Sequence, residues 1–261
     1  MIYAMIQARM GSTRLPGKVM KDVVGSPILE HLINRVKSSE RIDSIIVVSS
    51  DSPENEAISN FCNENNVNFF AGNEDDVLDR FYQAGLSYNL NDDDILVRIT
   101  GDCPLIDPLI IDNVINQHIT ENNDYTSNVI VRSFPDGLDC EVFNFSILKD
   151  MWNKSNLKSE REHVTLYIRN NSDSYKLGDY VNDKDFSDLR WTLDEKEDFI
   201  FIETIYEKLF NKDNLFSTSD ILELLEKEPE LTNINNMYGC NEGLSKSLKE
   251  DMDLGNRHVN Q

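Results

Sequence analysis

Ile2-Tyr3-Ala4-Met5-Ile6-Gln7-Ala8-Arg9-Met10-Gly11-Ser12-Thr13-Arg14-Leu15-Pro16-Gly17-Lys18 is a short apolar run that empties into a loop of two glycines, a serine, two arginines and a lysine. A loop of that composition suits a polyphosphate. Glycines let backbone N–H groups come close, while Arg and Lys add positive charge and donors. It is not a P-loop, because Val19 stands after Gly17-Lys18 where that pattern needs Ser or Thr, and the spacing from Gly11 is one residue too long. Nor is it a dinucleotide fingerprint, since no G-x-G-x-x-G occurs. The plain alternative is a surface loop rich in turn residues.

Outward from this stretch, strand and helix signals alternate. Ile2–Ile6 reads as a buried strand. Between Pro27 and Lys37, Ile28, Leu29, Leu32, Ile33 and Val36 share one helical face. Ser44–Ser49 is a second strand, Pro53 opens a helix toward Asn65, and Val67–Phe70 is a third strand. Asp75 to Leu86 reads as helix, Ile95–Thr100 as a fourth strand ending at Gly101-Asp102, and Pro108 to His118 as helix. Such alternation implies a mainly parallel sheet with helices on both faces, which binds ligands at the carboxyl ends of its strands. The opening loop and Gly101-Asp102-Cys103-Pro104 both fall at such ends. The second half is less regular. Asp139–Phe143, Tyr175–Val181 and Leu189–Leu193 read as strands. Glu160–Asn170, Glu195–Leu209 and Thr218–Lys227 read as helices, with a short helical piece near Gly243–Glu250.

Composition bounds the partners. The 261 residues suit one large α/β domain or two small ones, and 39% hydrophobic residues support an ordinary core. A net charge of −22 argues against nucleic acid or an anionic membrane as partner. Any phosphate ligand must therefore be held by local positive charge or by metal. No apolar run is long enough to span a bilayer. Arg9 interrupts the first apolar run with no small-residue cleavage site after it, so no signal peptide is expected. Cys62, Cys103, Cys140 and Cys240 are widely spaced without a C-x-x-C pair, which reads as reduced cytoplasmic thiols.

Several residues can carry chemistry. Asp102, just past a buried strand, has the position of a Mg²⁺ ligand; as a turn residue it would only cap the next helix, a role that Asp107 before Pro108 fits better. Asp194 precedes a helix and reads either as its N-cap or as a second carboxylate for the same metal. Asp139 and Glu141, two apart on a predicted strand, share a face and could bind sugar hydroxyls or an amino group, with Asp136 close by; a solvated acidic face is the alternative. Arg161 could hold a carboxylate or phosphate, His163 could be a polar contact or purely structural, and Arg80 could reach a nucleotide. No Ser-His-Asp order, H-E-x-x-H or kinase signature is present, which leaves phosphate chemistry with Mg²⁺.

With these residues in view, the chain resembles the cytidylyltransferases that activate sugars as CMP-sugars. Its opening loop is similar to the nucleotide loop of 3-deoxy-manno-octulosonate cytidylyltransferases and, more loosely, of acylneuraminate cytidylyltransferases. The nearer resemblance is to the spore-coat polysaccharide biosynthesis protein F branch. It is carried by the opening loop, Asp75-Asp76-Val77-Leu78-x-Arg80, Thr100-Gly101-Asp102-Cys103-Pro104-Leu105-Ile106-Asp107, Asp136-Gly137-Leu138-Asp139-x-Glu141-Val142-Phe143, Glu160-Arg161-Glu162-His163-Val164-Thr165, Arg190-Trp191-Thr192-Leu193-Asp194 and Asn241–Leu248.

The resemblance implies an α/β nucleotide-diphospho-sugar transferase fold in one domain, with a mixed, mainly parallel sheet and an inserted β-element in the second half. Residues 1–125 would form the nucleotide half, 126–210 the sugar and dimerisation half, and 211–261 the terminal helices and tail. CTP would lie on Ala8, Arg9, Met10, Gly11, Ser12, Lys18, Arg80, Thr100 and Gly101. Lys18, Arg9 and Arg14 would neutralise the triphosphate, and Asp102 and Asp194 would hold Mg²⁺. Asp136, Asp139, Glu141, Arg161 and His163 would line the sugar pocket, and the enzyme would be a homodimer. The 3-deoxy-manno-octulosonate enzymes lack the Asp-Gly-Leu-Asp and Arg-Glu-His-Val-Thr segments, so the sugar does not carry over. The implied reaction is attack of a sugar oxygen on the α-phosphate of CTP with release of pyrophosphate, for surface polysaccharide synthesis. A glycosyltransferase of the same fold would need a D-x-D after a central strand, whereas Asp92-Asp93-Asp94 precedes one. A nucleotide-binding relative without catalysis would not need Lys18, Asp102 and Asp194 together.

Overall fold

In the computed structural model, the apolar run that opens the chain is a central strand, β1 (Ile2–Gln7), and the basic loop leaves its carboxyl end. The structure describes residues 1–211, 215–239, 247–249 and 251. The chain continues through a small ribbon, β2 (Asp22–Val23) and β3 (Ser26–Pro27), then α1 (Ile28–Lys37), β4 (Ser44–Ser50), α2 (Glu56–Glu64), β5 (Asn68–Gly72), α3 (Val77–Ser87), β6 (Ile95–Thr100) and α4 (Pro108–Glu121). The second half contributes β7 (Tyr125–Ser127), β8 (Glu141–Asn144), α5 (Phe145–Lys154), α6 (Lys158–Glu162), α7 (Leu166–Asn170), β9 (Leu177–Asp179), α8 (Lys196–Leu209) and α9 (Thr218–Lys227).

The main sheet runs β5-β4-β1-β6-β8-β7-β9. β5, β4, β1 and β6 are parallel, with Ala4 opposite both Ile45 and Val97. β8 is antiparallel to β6 and β7, and β9 is parallel to β7, so the β structure of the second half extends the same sheet. The parallel strands are apolar on both faces because helices cover both. Ala4, Ile6, Val47 and Val97 point into one core with α1, α4 and α8, whereas Met5, Ile46, Val48 and Leu96 point into the other with α3 and α5. Each fully buried Met, Ile or Leu contributes on the order of 2 kcal/mol, so the sheet is a rigid base for the loops at its carboxyl edge.

Helix starts follow local chemistry. Asp107 caps α4, accepting the Leu109 N–H at 2.9 Å with Pro108 in the first turn, as its sequence position suggests. Asp76 caps α3 in the same way. Glu195, not Asp194, is the N-cap of α8.

The second half departs from the periodicity in four places. The single helix expected over Glu160–Asn170 is two helices, because Val164 is left-handed (φ 47°) and buried. That conformation is costly for a β-branched residue, and here it turns the Thr165 hydroxyl onto Glu141. Leu189–Leu193 is not a strand. Its backbone is divided between two loops, with the Trp191 N–H on the Asp136 carbonyl and the Leu193 N–H on the Asp102 carbonyl, leaving one bridge, Asp136 to Arg190. β9 is shorter than Tyr175–Val181. β8 begins at Glu141, so Asp139 lies before the strand and shares no strand face with Glu141. The helical piece expected near Gly243–Glu250 lies mostly outside the described residues.

Candidate active site

The opening loop folds around its own backbone. The Met10 carbonyl accepts the N–H groups of Ser12 and Gly17, at 2.8 and 2.9 Å, and Gly17 takes the left-handed conformation (φ 68°) that closes the loop. Asn55 binds the Met10 N–H, the Ser12 hydroxyl accepts from the Leu15 N–H, and Leu15 is buried as an apolar anchor. Lys18, after the loop, is thereby aimed inward. Its ammonium donates to Asp194 Oδ1 at 2.9 Å and to the Leu193 carbonyl at 2.7 Å, and lies 3.6 Å from Asp102 Oδ2.

Two distant segments meet at that ammonium because their backbones are joined. The Asp102 carbonyl accepts both the Leu193 N–H and the Thr192 hydroxyl. Gly101 makes this possible. It sits so close to β1 that a Cβ there would meet the Gln7 carbonyl at 3.0 Å and the Val19 side chain at 3.2 Å. Gly137 serves the same end on the neighbouring loop, with φ 109° and its would-be Cβ 2.5 Å from the Thr192 nitrogen.

Electrostatics bind the cluster. Burial disfavours the Lys18 charge, yet Asp102 and Asp194 outweigh it and hold the pKa above its ordinary value. Burial likewise opposes the Asp102 carboxylate, and Lys18 and the Thr100 hydroxyl keep it below the usual range. Arg14 bridges Asp194 and Glu195 at 3.0 and 3.1 Å. Arg9 is exposed at the mouth, and its charge adds to the effect of burial in lowering the Arg80 pKa.

Two adjoining cavities open here. One, of about 580 Å³, lies against Ala8, Gly11, Ser12, Lys18 and Gly101. The other, of about 410 Å³, is lined by Arg80, Arg98, Asp136, Asp139, His163 and Arg190 among others. Arg9, Arg14, Thr100, Asp102 and Asp194 line both. Met10 lines neither; its side chain packs on the core and its carbonyl shapes the loop. Arg80 is buried with its guanidinium on the Asn73 and Glu74 carbonyls, and burial pulls its pKa down to about 10.

The five residues expected to line a sugar pocket do not all face the cavity. Asp136 and Asp139 face the cavity and are joined by Arg132 at 3.2 and 3.3 Å. Burial pushes the Asp139 carboxyl up to about 6, opposed by Arg132 and helped by Asp136 and Glu141. His163 lines the cavity and contacts the Ser247 hydroxyl at 3.0 Å, and burial lowers its pKa. Arg161 lies elsewhere. It forks onto Asp76, at 2.6 Å at its closest, and donates to the Trp152 carbonyl, tying α6 to the start of α3. A carboxylate at hand satisfies it, which removes it from the ligand-facing set. Glu141 is turned inward, where it pairs with Arg98, Tyr125 and Thr165, so its oxygens are already in use.

Arg98 is among the residues that sequence reasoning missed, with Arg132 and Lys158. It faces both the cavity and Gln7, at 2.9 Å. Its signal was a lone arginine inside the apolar run Ile95–Thr100, on the same strand face as Thr100. The Asp92–Asp94 triplet belongs to the other edge of the sheet: Asp94 is buried before β6 and accepts the Asn91 N–H at 2.7 Å.

A family model described as cytidylyltransferase matches residues 3–243. The chain belongs to the cytidylyltransferase family. It is a nucleotidyltransferase. An uncharacterised protein of Methanocaldococcus jannaschii is 39% identical over 240 residues, covering 90% of this chain and 94% of its own. The spore coat polysaccharide biosynthesis protein SpsF of Bacillus subtilis is 33% identical over 236 residues, covering 88% and 95%. A solved cytidylyltransferase from Leptospira borgpetersenii superposes with a TM-score of 0.83 at 32% identity, over 88% of this chain and 96% of its own. The cytidylyltransferase scaffold thus spans both halves of the chain, including the segments that set the cavity's second side.

The Glu141 pairing has a measurable consequence. Burial disfavours its charge, but Arg98 first and then Arg169 lower its pKa to about 2 from 4.5. The folded value lies below the ordinary one, so the stabilisation is complete above about 4.5 and disappears as pH falls through about 2. Glu141→Gln leaves Arg98, partly buried at the cavity wall, without its counter-charge and is expected to cost about 2 kcal/mol at pH 7. Urea unfolding should show the gap between variant and wild type narrowing as pH falls toward 2. An equal gap at pH 7 and pH 3 would refute the pairing as its source.

Proposed function

We propose that this cytidylyltransferase transfers CMP from CTP to an oxygen of a sugar, of the sugar-acid class or a related one, with release of pyrophosphate. The observation that carries the reading is the meeting of Lys18, Asp102 and Asp194 at one point beside the glycine- and arginine-containing loop. A triphosphate lying along that loop has its reacting phosphate at the junction of the two cavities. The nucleotide is then on one side and Asp136, Asp139 and His163 on the other.

The donor set fits Mg²⁺. Asp102 and Asp194 offer hard oxygen ligands that already face one shared cation, the Lys18 ammonium, and Mg²⁺ takes its remaining ligands from phosphates and water. Held by these two carboxylates, the ion would supply charge neutralisation and orientation of the triphosphate oxygens. The protein's own part is positioning and electrostatics, which dominate phosphoryl chemistry. Arg9, Arg14 and Lys18 bind the phosphate oxygens, and the charge that builds on pyrophosphate as the α–β bond breaks falls on these same cations. The sugar hydroxyl oxygen forms the new bond to the α-phosphorus from the opposite side, its proton passing to solvent as pyrophosphate leaves. Asp136 and Asp139 are the acceptors for sugar hydroxyls there.

The test is pyrophosphate release with CTP, Mg²⁺ and a panel of ulosonic acids and sugar phosphates, with ATP, GTP and UTP as controls. Turnover dependent on CTP and one sugar class supports the reading, and no turnover with any pair counts against it. A role in surface polysaccharide synthesis, as the name of the Bacillus relative suggests, belongs to the same reading. So does a cytoplasmic homodimer. No helix among the described residues is long and apolar enough to cross a membrane, and Ile130, Val131 and Val181 are exposed around the edge strand β9. Light scattering should give twice the chain mass, and a monomer would remove that part.

A further inference from the structure

We propose that Asp198 is a positioning residue for Asp194: its buried carboxylate, locked by Arg190 and Asn235, fixes the backbone that aims Asp194 at the Lys18 site. This rests on the reading of Asp194 as a metal ligand.

Asp198 lies in the first turn of α8 and is 0% exposed. Five donated bonds converge on its two oxygens. Arg190 contributes Nε to Oδ1 and Nη2 to Oδ2, each at 2.8 Å, and Asn235 Nδ2 adds a bond to Oδ1 at 2.9 Å. The backbone N–H groups of Asp194 and Glu195 complete Oδ2, both at 2.9 Å. Burial disfavours its charge, but these donors outweigh it and the carboxyl stays below the usual range.

Ordinary helix capping explains only the Glu195 bond. The Asp194 N–H lies before the helix, and Arg190 and Asn235 come from other segments. The stretch Thr192–Glu195 is therefore held at two ends, by the Asp102 carbonyl at Thr192 and Leu193 and by Asp198 at Asp194 and Glu195. Between these anchors Asp194 has only its side-chain torsions left, and it meets Lys18 at 2.9 Å and Arg14 at 3.0 Å. Arg190 itself stands 3.7 Å from Asp136 and 4.0 Å from Asp194. Without Asp198, that guanidinium turns to those two carboxylates and competes for the charge that a metal needs. Partners one step behind a metal ligand typically alter metal affinity by 10- to 100-fold, through orientation and not through contact.

The experiment is Mn²⁺ binding to the full chain in the presence of CTP, read by electron paramagnetic resonance, for wild type, Asp198→Asn and Asn235→Ala. Thermal unfolding and CTP binding in EDTA are measured alongside. Asp198→Asn should weaken Mn²⁺ by about tenfold or more. Asn235→Ala should do so less, in the same direction, while CTP affinity without metal stays as in wild type. Mn²⁺ affinity unchanged in variants that merely melt earlier would show a structural role and overturn the inference. Where Asp198→Asn does not fold, the ratio for Asn235→Ala decides. If wild type itself binds no Mn²⁺ with CTP, the metal reading fails first and the inference with it.

Discussion

Lys18→Met is expected to lower kcat/KM for pyrophosphate release by about 10²- to 10³-fold, since removing one preorganised donor at a developing charge costs roughly 3–4 kcal/mol. The same change is expected to strengthen metal binding in the absence of nucleotide. The ammonium stands between Asp102 and Asp194, bonded to one and 3.6 Å from the other, and both carboxylates raise its pKa. A divalent cation approaching those oxygens therefore competes with Lys18. Methionine keeps much of the side chain's length and removes the competitor. Under the proposed function, Lys18 would exchange its carboxylates for phosphate oxygens at little electrostatic cost. Opposite signs for the two measurements, weaker turnover and tighter metal, separate this exchange from general damage to the site. Near-normal turnover would sink the role of Lys18, and unchanged or weaker metal binding would sink the competition.

What the sequence made legible was the part built from strand ends. Ile2–Gln7 and Ile95–Thr100 are apolar runs that pair side by side; Asp102 follows the second by two residues and Lys18 closes the loop that leaves the first, so both candidate residues could be placed from a strand signal. Asp194 was ambiguous because a lone Asp before a helix has the same pattern as a cap. Only the structure separates the roles, giving the cap to Glu195 and Asp198 and leaving Asp194 for Lys18. The second side of the cavity was harder because its side chains choose among nearby charges. Arg161 and Arg98 each find a carboxylate, Asp76 and Glu141, at separations of 85 and 43 residues, which no local spacing reveals. Val164 hides a helix break for the same reason. A left-handed β-branched residue is tolerated only because tertiary burial and the Thr165–Glu141 bond compensate it.

Asp102→Asn is expected to cost about 4 kcal/mol of transition-state stabilisation, near a thousandfold in rate, because under the proposed function it removes a charged ligand for Mg²⁺ beside the reacting phosphate. Asn keeps the size of the side chain, and one oxygen can still accept from the Thr100 hydroxyl. The segment itself is held by the Asp102 carbonyl, which the substitution does not touch, so the cavity keeps its shape. The loss should therefore fall mainly on turnover and on Mg²⁺ dependence, with a smaller loss of stability because the Lys18 ammonium is left with Asp194 as its remaining carboxylate. The double variant Lys18→Met/Asp102→Asn sharpens the test. Residues that act on one phosphate as a unit lose less together than the sum of their separate losses. The pair is in direct electrostatic contact: each holds the other's charged form, against the burial that opposes both. A double variant about as slow as the slower single one is the expected result. Fully additive losses would mean that Lys18 and Asp102 serve different steps, and the shared cation site would have to be given up.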